Sequence, residues 1–390
     1  MIHMEVDKFV KKEILAAGGG SLTRSMPPIP PNAINLLAGD PDFNQPEFIS
    51  RAVYDAMKEG HTHYAFGGDP AFKAAIADYY GKYGVEVDPA KQVLITSGGS
   101  QAIFRAFGTI LNPGDEVLLM DPCYTGYAQP AAYFGAKIMR AAQKKDEKGL
   151  FRPDFENIEA AITDRTKAVL FCSPDNPTGA VWTEAEIGRL AEITVEKDVL
   201  VISDEIYTEF IWDGKHVPII DKPGMEERTM VLMSFSKTFA WTGCRAGYII
   251  AGPQLMEKIN QVPIGITGMP LPFQKAATKA LAQGWDFVDS MREEYKKRID
   301  AVVPRLNELD GVSCPMPEGA FYVFPDVSGL GVPTMQLLMG LLQGGEVLVA
   351  PGSIYGPKGE GHVRLALVKP VEVLEEAVDR LGKYFSGLNG

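Results

Sequence analysis

Between residues 93 and 236 the chain carries six short apolar segments, and they constrain its fold more than any other feature. VLITSGG, EVLLMDP, AKIMRAA, KAVLFCSP, VLVISDE and TMVLMSFS are rich in Val, Ile, Leu or Met and are bounded by turn residues or charge. A strand with one face in water alternates apolar and polar residues, and these do not. Continuous runs of this length read as strands buried on both faces, as in a parallel sheet. Helical stretches such as SQAIFRAFGTIL and TEAEIGRLAEITVEK fill the gaps, with PEFISRAVYDAMKEG and DPAFKAAIADYYGKYG ahead of the first strand. The alternation predicts an α/β fold with a mostly parallel, doubly wound central sheet. Residues 47–284 are read as this large domain.

From residue 285 the character changes. A long charged stretch, DFVDSMREEYKKRIDAVVPRLNEL, precedes short segments with Gly and Pro (GVSCPMP, GAFYVFPD, VLVAPGS, HVRLALV), and PVEVLEEAVDRLGKYF follows as a last helix. These predict a smaller α+β domain on an antiparallel sheet, made of residues 285–390 with the N-terminal segment 1–46. MIHMEVDKFVKKEILAAGGG reads as a short amphipathic helix without the apolar core of a signal peptide. Residues 18–33, dense in Gly and Pro, read as an extended connector. No run is apolar enough for a membrane span. A net charge of −12, from 38 basic and 50 acidic residues, disfavours nonspecific nucleic-acid binding. Cys123, Cys172, Cys244 and Cys314 form no CxxC pair and do not cluster with the histidines. Free buried thiols in a reducing compartment are therefore expected, with no metal site and a cytoplasmic location.

In open parallel sheets, ligands gather beyond the carboxyl ends of the strands. There the sequence places Ser97, Gly98, Gly99 and Ser100 at a helix start, then Asp175 and Asn176, then Asp204 and Tyr207, then Ser234, Ser236, Lys237 and Arg245. Helix N–H groups fit to hold an anion, a carboxylate, a lysine and an arginine thus converge on one rim. Asp204 comes after four apolar residues and Ser203, where an unpaired carboxylate would be costly.

SPDNPTG, SDEIY and SFSKTFAWTGCRAGY, set in this order between LLAGDPDF and HVRLAL, resemble the signature blocks of the class I/II aminotransferases. These are pyridoxal-phosphate enzymes of fold type I, and the likeness covers nearly the whole chain. The resemblance implies amino-group transfer between an amino acid and a 2-oxo acid, with pyridoxal phosphate as the electron sink. It implies that Lys237 carries the cofactor as a Schiff base and shuttles a proton. By the same likeness Asp204 keeps the pyridine nitrogen protonated, while Tyr207 and Asn176 donate to the phenolate oxygen. Gly99, Ser100, Gln101, Ser234 and Arg245 match the phosphate anchors, and Tyr124 matches the ring that stacks on the pyridine. Arg364 matches the grip on the substrate carboxylate, with Asn176 and Gly39 also facing the substrate. Tyr64, in HTHYAFGGDP, matches a tyrosine that crosses to the partner's phosphate, which implies a homodimer with shared sites.

Some positions depart from the family pattern. Phe72-Lys73 stands where Leu-Arg is frequent and reads as a surface change. Ser100 stands where some members carry lysine, and no arginine occurs between Arg245 and Arg292, which argues against a dicarboxylate specialist. Phe43, Tyr64, Tyr124 and Trp241 are expected to line a pocket for a neutral or aromatic side chain. Two other readings stay open: a β/γ-eliminating lyase on the same scaffold, which shares every residue above, and a ligand-sensing regulator. The latter needs a DNA-binding domain, and the residues before Leu36 hold no helix-turn-helix pattern.

Overall fold

The computed structural model describes residues 6–16, 28–263 and 268–388, so most of the connector lies outside the described residues. All six apolar segments form strands, and a seventh joins them. They are β1 (Val93–Thr96), β2 (Glu116–Asp121), β3 (Lys137–Ala142), β4 (Thr166–Cys172), β5 (Leu200–Asp204), β6 (Thr229–Ser234) and β7 (Gly247–Ala251). The sheet order is β1-β7-β6-β5-β4-β2-β3. Pairs are parallel except those of β7, which runs antiparallel to β1 and β6. This strand, GYIIA, is not among the six apolar segments. The connection from β6 contains only the four-residue helix Phe235–Thr238, and the chain returns in the opposite direction. β2, β6 and β7 are buried throughout, whereas β3, at the sheet edge, exposes Lys137.

Helices cover both faces. Gly99–Ile110 and Glu184–Glu196 bury Ala102, Phe107, Ile187 and Leu190 in one core with Val117, Leu170 and Val201. Thr183 starts the second of these with a capping box: its hydroxyl accepts from the Glu186 N–H, and the Glu186 carboxylate accepts from the Thr183 N–H. The opposite core receives Pro70–Gly81 and Leu271–Gln283. Here one expectation is corrected: Phe72 is no surface residue but fully buried, its ring 5.6 Å from Phe235.

A second, three-stranded sheet holds β8 (Tyr322–Val323), β9 (Ala350–Pro351) and β10 (Val363–Ala366), with β10 central and both pairings antiparallel. The N-terminal segment reaches it. Ile34–Asn35 pairs parallel with Val347–Leu348, and the Leu36 carbonyl accepts from the Ala366 N–H. Further upstream, helix Lys12–Ala16 lies instead near Ala128–Tyr133 of the large-sheet region, with the Lys11 ammonium 4.3 Å from the Tyr133 ring centre. The long helix Trp285–Leu306 straddles two cores: Val288, Met291 and Tyr295 pack with the large sheet, and Ile299, Val302 and Leu306 pack with the small one.

Register aligns the strand ends. Cys172 pairs with Asp204, Asp204 with Leu232, and Gly247 lies between Ser234 and Thr96. Because β7 runs backwards, its first residue sits at the edge where the other strands finish. A Cβ on Gly247 would come within 2.7 Å of the Met233 carbonyl and 2.9 Å of Gly98 Cα, so the closeness of the Gly98 loop to Ser234 depends on this glycine. Gly247→Ala is expected to cost about 1–3 kcal/mol, the scale of overpacking. Chemical denaturation checks it, and a change below about 0.5 kcal/mol would show that the sheet edge yields freely.

Candidate active site

The aligned strand ends and the small sheet enclose a cavity of about 1000 Å³. Of the residues singled out from sequence, Gly39, Gly99, Ser100, Tyr124, Asn176, Asp204, Tyr207, Ser234, Lys237, Arg245 and Arg364 all line it. Gln101 sits just behind, its amide oxygen accepting from the Ser97 N–H at 2.7 Å.

Asp204 ends β5 with only 8% of its surface exposed. Its carboxylate accepts from the Tyr127 hydroxyl at 2.7 Å and from the Ile206 N–H at 3.2 Å. Burial nevertheless dominates and pushes its pKa up to about 6. Lys237 lies on the four-residue helical turn Phe235–Thr238 directly after β6. Its ammonium donates to the Gly39 carbonyl at 2.6 Å. Burial lowers its pKa to about 8; the Asp40 carboxylate opposes that shift, and Arg364 and Arg245 add to it.

Beyond the lysine, three polar side chains form a chain. Asn176 donates to the Tyr207 hydroxyl at 3.3 Å, which lies 2.9 Å from the Tyr322 hydroxyl. Arg364 stands over the Tyr322 ring at 4.5 Å, donates to Asn176 Oδ1 at 3.2 Å and also donates to the Leu37 carbonyl. Its buried Nε has no partner in the structure. A Cβ on Gly39 would overlap the Tyr322 hydroxyl, which explains that glycine sterically.

At the other end, Gly98 at φ +79 starts helix Gly99–Ile110 without a side-chain cap. Its first N–H groups have no intrahelical partner. A Cβ on Gly98 would lie 2.6 Å from Arg245 Nη2, so the loop and the guanidinium are in close contact. Arg245 itself adopts φ +54, a conformation costly for a residue with a side chain. Its fork donates to the Thr242 carbonyl at 2.7 Å, and Ser234 Oγ accepts from the Ser236 N–H at 3.1 Å. Donor chemistry here fits a phosphate: helix N–H groups, hydroxyls and a guanidinium.

Some expectations are not met within one copy of the chain. Tyr64 is 71% exposed and lies outside the cavity, its ring 5.6 Å from exposed Phe66. Of the four aromatic residues expected to line the pocket, only Tyr124 does. Trp241 is buried in the core with Phe235 and Phe273, and Phe43 packs against Tyr295 and Phe287. Tyr127, Tyr322 and Tyr355 line the cavity instead. Tyr127 follows Tyr124 within DPCYTGY on a helical turn, and Tyr322 stands in GAFYVFPD. The aromatic richness of both segments was the only signal for them.

Comparison with known proteins agrees with this geometry. The family described as aminotransferase class I and II matches residues 31–381. The chain is 36% identical over 356 residues to aromatic-amino-acid aminotransferase 2 of Thermococcus litoralis, covering 90% of this chain and 91% of that one. It is 37% identical over 358 residues to an aspartate aminotransferase of Pyrococcus abyssi, with the same coverage of 90% and 91%. The solved aromatic aminotransferase from Pyrococcus horikoshii OT3 superposes with a TM-score of 0.87 at 35% identity, covering 91% of this chain and 96% of that one. Matched along nearly its whole length in sequence and in fold, this chain belongs to the class I and II aminotransferases, the pyridoxal-phosphate-dependent transaminases of fold type I.

Proposed function

We propose that this cavity holds pyridoxal phosphate and moves an amino group between an amino acid with a neutral side chain and a 2-oxo acid. The observation that carries the reading is the pair Lys237 and Asp204 in one cavity, their pKa values drawn to about 8 and about 6. When bound, the cofactor supplies an electron sink for the pair left on the substrate α-carbon. Lys237 would anchor it covalently and, with a pKa close to neutral, take and return the α-proton. Asp204 would hold the proton of the pyridine nitrogen, and Tyr124 would cover the ring. Asn176 and Tyr207 would donate to its phenolate oxygen. Gly99, Ser100, Gln101, Ser234 and Arg245 would bind the phosphate, and Arg364, which lines the cavity, would take the substrate carboxylate. Among the described residues, the cations lining the cavity are Lys237, Arg245 and Arg364, each with a task in this scheme. None is left for a second carboxylate, while Leu37, Ile354 and Tyr355 offer apolar surface.

Exposure of Tyr64 supports a homodimer in which each copy completes the other's phosphate site. The separate small core around Leu36, Ile299, Val349 and Leu374 supports a large and a small domain, with the small one taking the segment from Ile34 and the chain from about Ile299, while helix Lys12–Ala16 lies against the large one. No helix among the described residues is long and apolar enough to cross a membrane. Three buried cysteines, with Cys244 partly buried and all four free, favour a reducing cytoplasm.

Lys237→Ala is expected to lose turnover by roughly 10⁴-fold or more, and borohydride should trap the cofactor on that lysine in the wild type. A label on any other lysine overturns the assignment. Asp204→Asn should lower activity more than about a hundredfold, the scale of a lost active-site electrostatic contact. Its effect on the cofactor-free protein runs the other way. A carboxyl raised from 3.8 to about 6 binds its proton more tightly in the folded state. Its burial therefore costs nothing below the lower value and most above the upper one. At pH 7.5 the Asn variant should unfold with roughly 2–3 kcal/mol more resistance than the wild type, an advantage that vanishes near pH 4. Denaturant curves at the two pH values check the sign. For the dimer, Tyr64→Ala and Lys237→Ala are mixed under subunit exchange. One site of each hybrid then carries neither lesion, so activity should return; proven exchange without recovery rules out a shared site.

A further inference from the structure

The segment Leu37–Phe43 begins along the cavity, where Leu37, Ala38 and Gly39 line it, and is held at several points. Arg364 donates to the Leu37 carbonyl, Lys237 donates to the Gly39 carbonyl at 2.6 Å, and the Thr242 hydroxyl donates to Asp40 at 2.7 Å. The remaining anchor comes from outside the cavity. Arg298, on the long helix Trp285–Leu306, forks onto Asp42 with Nη1–Oδ1 at 2.7 Å and Nη2–Oδ2 at 3.0 Å. The same Nη1 also donates to the Leu367 carbonyl, one residue past β10, at 3.0 Å, and Nε donates to Glu294 at 3.1 Å. The guanidinium lies 5.2 Å from the Phe43 ring centre and 5.4 Å from that of Tyr295, and its side chain is only 4% exposed.

A buried arginine with so complete a set of partners serves a structural purpose only if the groups it joins need fixing. Those groups are the segment that presents Gly39 and the end of the strand that presents Arg364, the two sides of the carboxylate site. We propose that Arg298, acting through Asp42, is a positioning residue that sets the distance between Gly39 and Arg364 and thereby the affinity for the substrate α-carboxylate. This rests on reading Arg364 as the carboxylate grip. Lysine cannot replace the fork, because a single ammonium cannot meet both Asp42 oxygens and the Leu367 carbonyl in the planar geometry seen here. Arg298 touches no cofactor-facing residue, so the phosphate end of the cavity is independent of it.

The test uses holoenzyme carrying Arg298→Lys, Asp42→Asn or both, with L-alanine, L-phenylalanine and L-glutamate as donors and 2-oxoglutarate or pyruvate as acceptor. KM for every donor the wild type accepts should rise at least fivefold, and by a similar factor for each, because the α-carboxylate is common to all. The change in kcat should stay within threefold and cofactor affinity within twofold. Donor affinity read from the cofactor absorbance without acceptor should weaken by the same factor as KM. The double variant should be no worse than the poorer single one, since both lesions cut one connection. Asp42 is partly exposed, so Asp42→Asn keeps the test decisive if Arg298→Lys does not fold. A KM for Asp42→Asn within twofold of wild type, or a loss confined to melting temperature or cofactor affinity, overturns the proposal while transamination stands. If no amino acid alters the cofactor spectrum of the wild type, the functional reading and this inference both fail.

Discussion

The site depends on one cost, that of holding charge out of water at the end of a central strand. Desolvation penalises the charged form of any group, so it acts in opposite directions on an acid and a base. Asp204 moves up to about 6 and Lys237 down to about 8 in the same cavity. One physical environment therefore brings a carboxyl and an amine toward neutral pH from opposite ends of the scale. The fold tolerates this because each group keeps a partner: Tyr127 and the Ile206 N–H for the carboxylate, the Gly39 carbonyl for the ammonium. The register that aligns Cys172, Asp204 and Leu232 decides which residues meet at that edge.

This dependence explains what could be read from the sequence. Strands buried on both faces must be continuously apolar, so β1 to β6 announce themselves, and each site residue at a strand end follows from locating the strand. Lys237, Asp204, Asn176 and Arg245 were legible for that reason, and family likeness supplied the roles expected of them. Information carried by contacts distant in sequence was hidden. The Tyr127 partner of Asp204 lies 77 residues away, and the Tyr322 partner of Tyr207 lies 115 away. Neither pairing leaves a local pattern. Phe72, expected at the surface, is buried, and Trp241 was expected in the pocket because an aromatic residue beside a motif looks the same whether it faces a ligand or a core. Only the packing of helices Pro70–Gly81 and Leu271–Gln283 on the sheet distinguishes them.

Polar contacts between the large and small regions and those within the small one differ in physical class. Lys145 with Asp326, at 2.6 Å, and the Lys358 N–H on Asp121, at 3.1 Å, join the two across their seam. Lys145 and Asp326 are each about a third exposed, with side-chain values of 37% and 29%. An ion pair that open to water contributes little and is readily exchanged for hydration. The fork of Arg298 on Asp42 is different, since its guanidinium is buried against two aromatic rings and a carbonyl. Removing Asp42 would take the carboxylate partner from a buried guanidinium, a larger penalty than losing a surface pair. The segment bearing Gly39 and the strand bearing Arg364 are thus tied to one helix, whose first half packs with the large core and whose second half packs with the small one. Lys237 and Asn176 reach from the large sheet to the same two elements, through the Gly39 carbonyl and the Arg364 guanidinium, so the grip and the groups that handle the proton meet in one cavity whose walls come from separate parts of the fold.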